Sequence, residues 1–150
     1  METGRNMKAI CKTKAEKGAT ICEIPIPVIG REEVLIKVKC AALCNSDVEV
    51  YHYTPLVEKA AYALPFVMGH EFSGEIIEVG EDVVGFQIGD HVAAETHIPC
   101  GYCETCRGGH QHICGNHMGV LGRTVDGCFA EYIKLHQKAL IKLPENTTYE

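Results

Sequence analysis

The chain has 150 residues and a formal net charge of −6, and 46% of its residues are hydrophobic. That size suits one domain with a core of its own. Without a Lys/Arg cluster, nucleic acid and anionic membrane are excluded as partners, and uncharged runs such as Ala60 to Gly69 are too short to cross a bilayer.

The start, Met1 to Asn6, has no apolar stretch of the kind that marks secretion. A reducing, cytoplasmic compartment is expected. Most of the chain then reads as β. Met7 to Lys12 and Ala19 to Pro25 form two strands around a Lys14–Gly18 turn. Glu33 to Ala42 alternates, with Val34, Ile36, Val38 and Cys40 on one face and Leu35, Lys37 and Lys39 on the other. Period two marks a half-buried strand. Two short helices follow, Ser46 to Tyr53 with Ser46 or Asn45 as N-cap, and Val57 to Ala63, stopped near Pro65. Further strands are expected at Ser73 to Val79, Asp90 to Ala94, Phe129 to Leu135 and Ala139 to Leu143. Short strands punctuated by Gly, Pro and Asp predict a mainly β fold, a small barrel or sandwich. No G-x-G-x-x-G occurs, so the chain carries no dinucleotide fingerprint of its own.

Between two of those strands lies Cys100-Gly101-Tyr102-Cys103-Glu104-Thr105-Cys106, followed by Cys114 after seven more residues. Four thiols at this spacing suit one tetrahedral zinc, and four protein ligands make a closed, structural site. Disulfides are the first rival, opposed by the odd count of nine cysteines. An iron–sulfur cluster is the second. Its bacterial run has a shorter last gap and a following proline, which Cys114 lacks. A long loop between strands needs something to order it, and a metal ion supplies that order as folding free energy.

Two other segments hold metal-competent groups, Cys44-Asn45-Ser46-Asp47 and Gly69-His70-Glu71. Alone they are weak signals. A single Cys is usually a small core residue, and strand neighbours such as His70 and Glu71 point to opposite faces unless the chain bends. Taken in order with Val79-Gly80, Val84-Gly85-Phe86, Gly89-Asp90-x-Val92 and the four-cysteine lobe, however, they resemble the N-terminal, GroES-like half of the zinc-dependent medium-chain alcohol dehydrogenases. The resemblance covers nearly everything from Met7 onward. Within that family, Glu95-Thr96-His97-Ile98-Pro99-Cys100, Cys106-Arg107-Gly108-Gly109 and Gly127-Cys128-Phe129-Ala130-Glu131-Tyr132 are most similar to the threonine dehydrogenases, with the sorbitol (polyol) dehydrogenases next.

The resemblance implies a GroES-like small β-barrel with short helices over residues 7–150, a zinc-bound lobe at about 98–117, and an extension at 1–6. It implies two zinc ions. A structural one is held by Cys100, Cys103, Cys106 and Cys114. A catalytic one is held by Cys44 and His70, with Glu71 as third ligand or near neighbour. Such an ion needs an open position, where it acidifies an alcohol so that hydride can leave. Ser46 is expected to carry the alcohol's proton or to cap the helix. His97 is expected near the substrate, or as a water-exposed histidine at a strand end. Asp47 is expected to orient a ligand or to cap a turn. Cys11, Cys22, Cys40 and Cys128 are expected as buried small residues, and His52, His91, His110, His112, His117 and His136 as surface or lobe residues.

Two departures from the family pattern stand out. Asn45 replaces a glycine on the cofactor's pyrophosphate side, and Glu49 replaces the histidine that ends the proton relay, leaving Glu49 or solvent to serve. The family's cofactor domain is not within these residues. The chain is therefore expected to be a fragment, inactive alone, of an enzyme that acts on a small-molecule alcohol with NAD or NADP and is a homo-oligomer at full length. A zinc-bound β-barrel acting as a binding module is the alternative, because fold alone does not fix activity.

Overall fold

The computed structural model describes residues 5–150, so most of the expected extension lies outside the described residues. Strand β1 (Asn6–Lys12) pairs antiparallel with β2 (Thr20–Pro25) and opens with Asn6 opposite Pro25, one residue ahead of expectation. Strand β3 (Glu33–Ala42) has the expected bounds. Helices α1 (Asn45–His52) and α2 (Pro55–Ala60) follow, then β4 (Phe66–Val67), which pairs with β1. Next come β5 (Glu71–Val79), β6 (His91–Ala94) and the lobe, bounded by β7 (His97–Ile98) and β8 (Gly119–Val120). Within the lobe lie α3 (Glu104–Arg107) and a 3-10 turn at Gln111–Ile113. Strands β9 (Tyr132–His136) and β10 (Leu140–Lys142) end the set.

The main sheet has the order β10-β6-β5-β3-β9 and curls into a half-barrel. Irregular pairing between β3 and β5, at Leu35/Ile36 and Val38/Cys40, bends it. The alternation of β3 buries Val34 and Ile36 in the main core with Ile76, Val92, Leu121, Ile133 and Leu135. Leu35, assigned to the other face, is buried as well. A second core, Val50, Val57, Phe66 and Met68, seats the two helices. The mainly β reading thus holds, as a half-barrel whose outer strands β9 and β10 do not pair.

Three expectations shift. Residues 129–131 run ahead of β9 and turn toward β1: the Ile10 amide donates to the Phe129 carbonyl at 2.7 Å and Ala9 bridges Ala130, while the Glu131 carbonyl still accepts from Val38 of β3 at 3.1 Å. Helix α2 begins at Pro55, which suits the first helical turn because proline's missing N–H is not needed there. Cys22 and Cys40 are only half-buried, as are His91 and His136, whereas Cys11 and Cys128 are core residues.

Lys12 ties the helices to the first hairpin. It is 1% exposed. Its ammonium donates to the carbonyls of Glu16, Gly18 (2.9 Å) and Tyr51 (3.2 Å), and lies over the Tyr53 ring. Burial pushes it below the ordinary lysine value, partly offset by the charge of Glu16. Replacing it by Met keeps the stem but takes the ammonium from three carbonyls, of which Tyr51 keeps the Gly18 amide at 2.8 Å. We expect Lys12→Met to lower unfolding free energy by about 2–4 kcal/mol, read from urea midpoints at unchanged slope.

Candidate metal centres

Strand register brings the first group together. Ala42, the last residue of β3, pairs with Glu71, the first of β5. Cys44, just after β3, and His70, just before β5, therefore leave the sheet at one end. Gly69 makes the bend with φ of 88°, and a side chain there would strike the Phe129 ring. The segment 126–129 locks this bend. Gly127 and Cys128 amides donate to the carbonyls of Val67 (2.8 Å) and Gly69 (3.1 Å), and the Asp126 carboxylate accepts from the Val67 amide at 2.9 Å.

At this bend one ligand atom each from Cys44, His70 and Glu71 lies within 4.8 Å of the others. His70 is buried and Glu71 exposed. The Ser46 hydroxyl is 3.3 Å from Cys44 Sγ and 3.4 Å from His70 Nε2. On the other side of the ring, His70 Nδ1 faces Asp47 Oδ1 at 3.4 Å. Asp47 is 0% exposed, and its second oxygen accepts from the Cys44 amide at 3.1 Å.

This changes the reading of α1. Cys44, not Ser46 or Asn45, is the N-cap residue, and Asp47 reaches back to its amide. The Ser46 hydroxyl is left to face the donors. Glu49 accepts from the Thr54 hydroxyl at 2.7 Å, where it braces the junction of the two helices. His97 is exposed on β7, in edge contact with His117 at 5.6 Å between ring centroids. It lines a small cleft with Glu95, His112 and Lys138 and is not among the three converging donors.

One buried residue at the site escaped the sequence reading. Arg123 donates to the Ser46 hydroxyl at 2.9 Å and to the Gly122 carbonyl at 2.7 Å, and its guanidinium lies 3.6 Å from Asp47 Oδ1. The available signal was its place, a lone charge beside the wholly buried Leu121 and the φ-positive Gly122. Cys128 also borders the site and donates to the Glu71 carbonyl at 3.5 Å. Burial, then the charge of Asp47, pushes its thiol up to about 12, so it stays a neutral S–H.

The fit of an ion is testable on the donors. One ring nitrogen of His70 points to Cys44 and Ser46 while the other points to a buried carboxylate. That is the arrangement of a metal-ligating imidazole. Among the described residues, Asp47 Oδ1 and His70 Nδ1 are the buried side-chain atoms without a hydrogen bond. Cys, His and Glu together suit zinc, and three donors leave a position open.

In the lobe the four sulfurs converge. Cys100–Cys106, Cys103–Cys114 and Cys114–Cys100 are separated by 3.9, 3.8 and 3.6 Å. Metal–sulfur bonds of about 2.3 Å in a tetrahedron require sulfurs about 3.8 Å apart. A disulfide requires about 2.0 Å, and all nine cysteines are free. This spacing leaves room for one ion and none for a multi-iron cluster. Lys138 anchors the lobe by donating to the Cys100 carbonyl at 2.9 Å. Burial raises the Cys100 thiol, but bonds from the Tyr102 and Cys103 amides and from Cys114 and Cys103 outweigh it and bring it to about 6. Burial and the neighbouring thiols push Cys106 up to about 12.

Comparison with known proteins agrees with this architecture. The chain belongs to the alcohol dehydrogenase GroES-like domain family, whose model matches residues 30–145. It is 43% identical over 140 residues to the L-threonine 3-dehydrogenase of Escherichia coli (strain K12 / DH10B), covering 93% of this chain and 40% of that one. An alcohol dehydrogenase of Escherichia coli CFT073, solved with NADH, superposes with a TM-score of 0.80 at 36% identity, over 97% of this chain and 41% of the other. A Sinorhizobium meliloti 1021 protein described as a zinc-binding dehydrogenase, bound to NADP, gives 0.82 at 26% identity, over 97% and 40%. The chain thus spans about 40% of the length of the curated relatives it matches. Among the described residues, no helix is long and apolar enough to cross a membrane.

Ion binding to thiols competes with protons. Cys100 is a thiolate above about pH 6 and a thiol below it. We expect the lobe's affinity for Zn²⁺ to fall with acid, and the slope of log affinity against pH to steepen by one proton below about pH 6. Competition with a chromogenic chelator across pH 5 to 8 measures it.

Proposed function

We propose that the chain is the zinc-holding catalytic part of an NAD(P)-dependent dehydrogenase that oxidises a small polar secondary alcohol. L-Threonine is the favoured substrate, and a polyol is second. The observation that carries the reading is the convergence of Cys44, His70 and Glu71 within 4.8 Å, with His70 backed by the buried Asp47. Kinship to the threonine enzyme supports the substrate. Both NADH and NADP occur among the similar structures, which supports a nicotinamide cofactor bound by sequence outside these residues. We further propose that the full-length protein is a cytoplasmic homo-oligomer.

When bound, zinc supplies a Lewis acid that lowers the pKa of an alcohol hydroxyl. The chain's own residues do the rest. Cys44 and His70 hold the ion. Asp47 Oδ1 faces His70 Nδ1 at 3.4 Å and favours the tautomer with its proton on that nitrogen, which leaves Nε2 as the donating nitrogen. The Ser46 hydroxyl flanks both donors, and it carries a proton from the alcohol by turning its own proton from Cys44 toward solvent. Glu49 is engaged by Thr54, so solvent is the better end for that relay. His97, exposed on β7, is the side chain to meet the polar part of the substrate. The lobe ion is structural: four sulfurs fill its coordination and leave no position for a ligand.

Metal analysis tests the two sites together. The purified chain is expected to hold two zinc ions, Cys44→Ser and His70→Ala to hold one, and Cys106→Ser to lose the lobe ion. A single ion unaffected by Cys44→Ser refutes the reading. The 150 residues alone, mixed with L-threonine and NAD, are expected to give no sustained rise in NADH absorbance, since the cofactor carries the hydride chemistry. Sustained turnover contradicts that expectation.

A further inference from the structure

We infer that Arg123 is a positioning residue for the Cys44–His70 centre, fixing the rotation of the Ser46 hydroxyl so that its proton points at the Cys44 sulfur. The inference rests on the metal centre proposed above and adds a part that the motifs did not signal.

A hydroxyl has one proton to give and two lone pairs to receive with, whereas a guanidinium only gives. The Arg123–Ser46 contact at 2.9 Å therefore has one direction: arginine donates and the Ser46 oxygen accepts. The serine proton must go elsewhere. Its remaining neighbours are Cys44 Sγ at 3.3 Å and His70 Nε2 at 3.4 Å. An ion on His70 takes the Nε2 lone pair, which leaves the sulfur. Without Arg123 the hydroxyl is free to sample its staggered rotamers.

The guanidinium is itself held. Its side chain is 9% exposed. One amine is tied to the Gly122 carbonyl, and the plane lies 5.9 Å from the Tyr62 ring centroid. The turn that delivers it is fixed by the Gly122 and Arg123 amides, bonded to the Val125 and Val120 carbonyls at 2.9 and 3.1 Å. Gly122 adopts φ of 67°, and a Cβ there would lie 2.4 Å from the Gly69 carbonyl. The arginine turn is thus packed directly on the bend that carries His70.

A simpler role for Arg123 is charge balance for Asp47, 3.6 Å away. Lysine serves that role but cannot reproduce a planar fork that reaches Gly122 and Ser46 together. This separates the two roles. A thiolate that loses a hydrogen bond becomes a stronger electron donor, which lowers the energy of its charge transfer to a bound metal.

The test is cobalt(II) titration of the whole chain, followed by absorption. The first equivalent fills the lobe and serves as a folding control. For the second equivalent, we expect Ser46→Ala and Arg123→Lys to move the thiolate-to-cobalt band to lower energy by similar amounts. The double variant is expected to shift no further than Ser46→Ala alone. Affinity for the second ion should fall on the order of 10-fold in each. Arg123→Met with Asp47→Asn removes both buried charges together, and the same band shift is expected there. A band unmoved in both Arg123 variants while the second cobalt is bound overturns the inference, as does full additivity in the double variant. A wild-type chain that takes only one cobalt overturns the metal centre and this inference with it.

Discussion

A carboxylate with no exposed surface organises the candidate site. Ionised Asp47 at that depth needs compensation, because an uncompensated buried charge costs several kcal/mol. The structure surrounds it with the Cys44 amide, the His70 ring and the Arg123 guanidinium. Each comes from a different segment: the start of α1, the bend before β5, and the turn after β8. One carboxylate therefore refines the mutual position of three pieces of chain, two of which the sheet register already brings to one end. The amide bond fixes where α1 begins, and the ring contact fixes which way His70 faces.

Backbone close approach does the rest. Gly122 and Gly127 both lie against the Gly69 carbonyl, at distances where a Cβ would collide. Any side chain at either position pushes the His70 bend away from Cys44. Glycine is required here for space as much as for φ, and at Gly127 for space alone. The metal donors are thus held by main-chain ladders, which are stiffer than side-chain packing and less dependent on an ion being present.

Much of the fold could be read from residue order. The bounds of β3 were legible because apolar and charged residues alternate from Ile36 to Cys40, although Leu35 breaks the pattern, and both neighbouring strands read β3 as a template. The start of α1 was not. Ser46 and Asn45 are preferred cap types, yet the cap is Cys44, because a buried Asp47 outweighs local preference. The two-residue strands β4, β7 and β8 carry too few residues to show a period. The front of β9 was misplaced because Phe129, Ala130 and Glu131 alternate like a strand but divide their bonds among β1, Met68 and Val38. In the site, the ligand-type residues were legible as a set only in family order, since His70 and Glu71 belong together only at a bend. Arg123 has no motif, and its role depends on distance to Ser46, which sequence does not encode.

The two donor groups differ in ways that follow from their surroundings. In the lobe, three of the four cysteines are buried and packed against one another, and the segment has little other core. Such a segment gains its order from the ion, so ion and lobe stand or fall together. At the sheet end, the donors sit on a framework already closed by hydrogen bonds, and one of them, Glu71, is exposed. A preformed framework with an exposed donor permits exchange at the open position without unfolding. A saturated set of sulfurs does not. Under the proposed function the same chemical element is a fastening at one site and a reagent at the other, and the distinction lies in what holds the donors rather than in the donors alone.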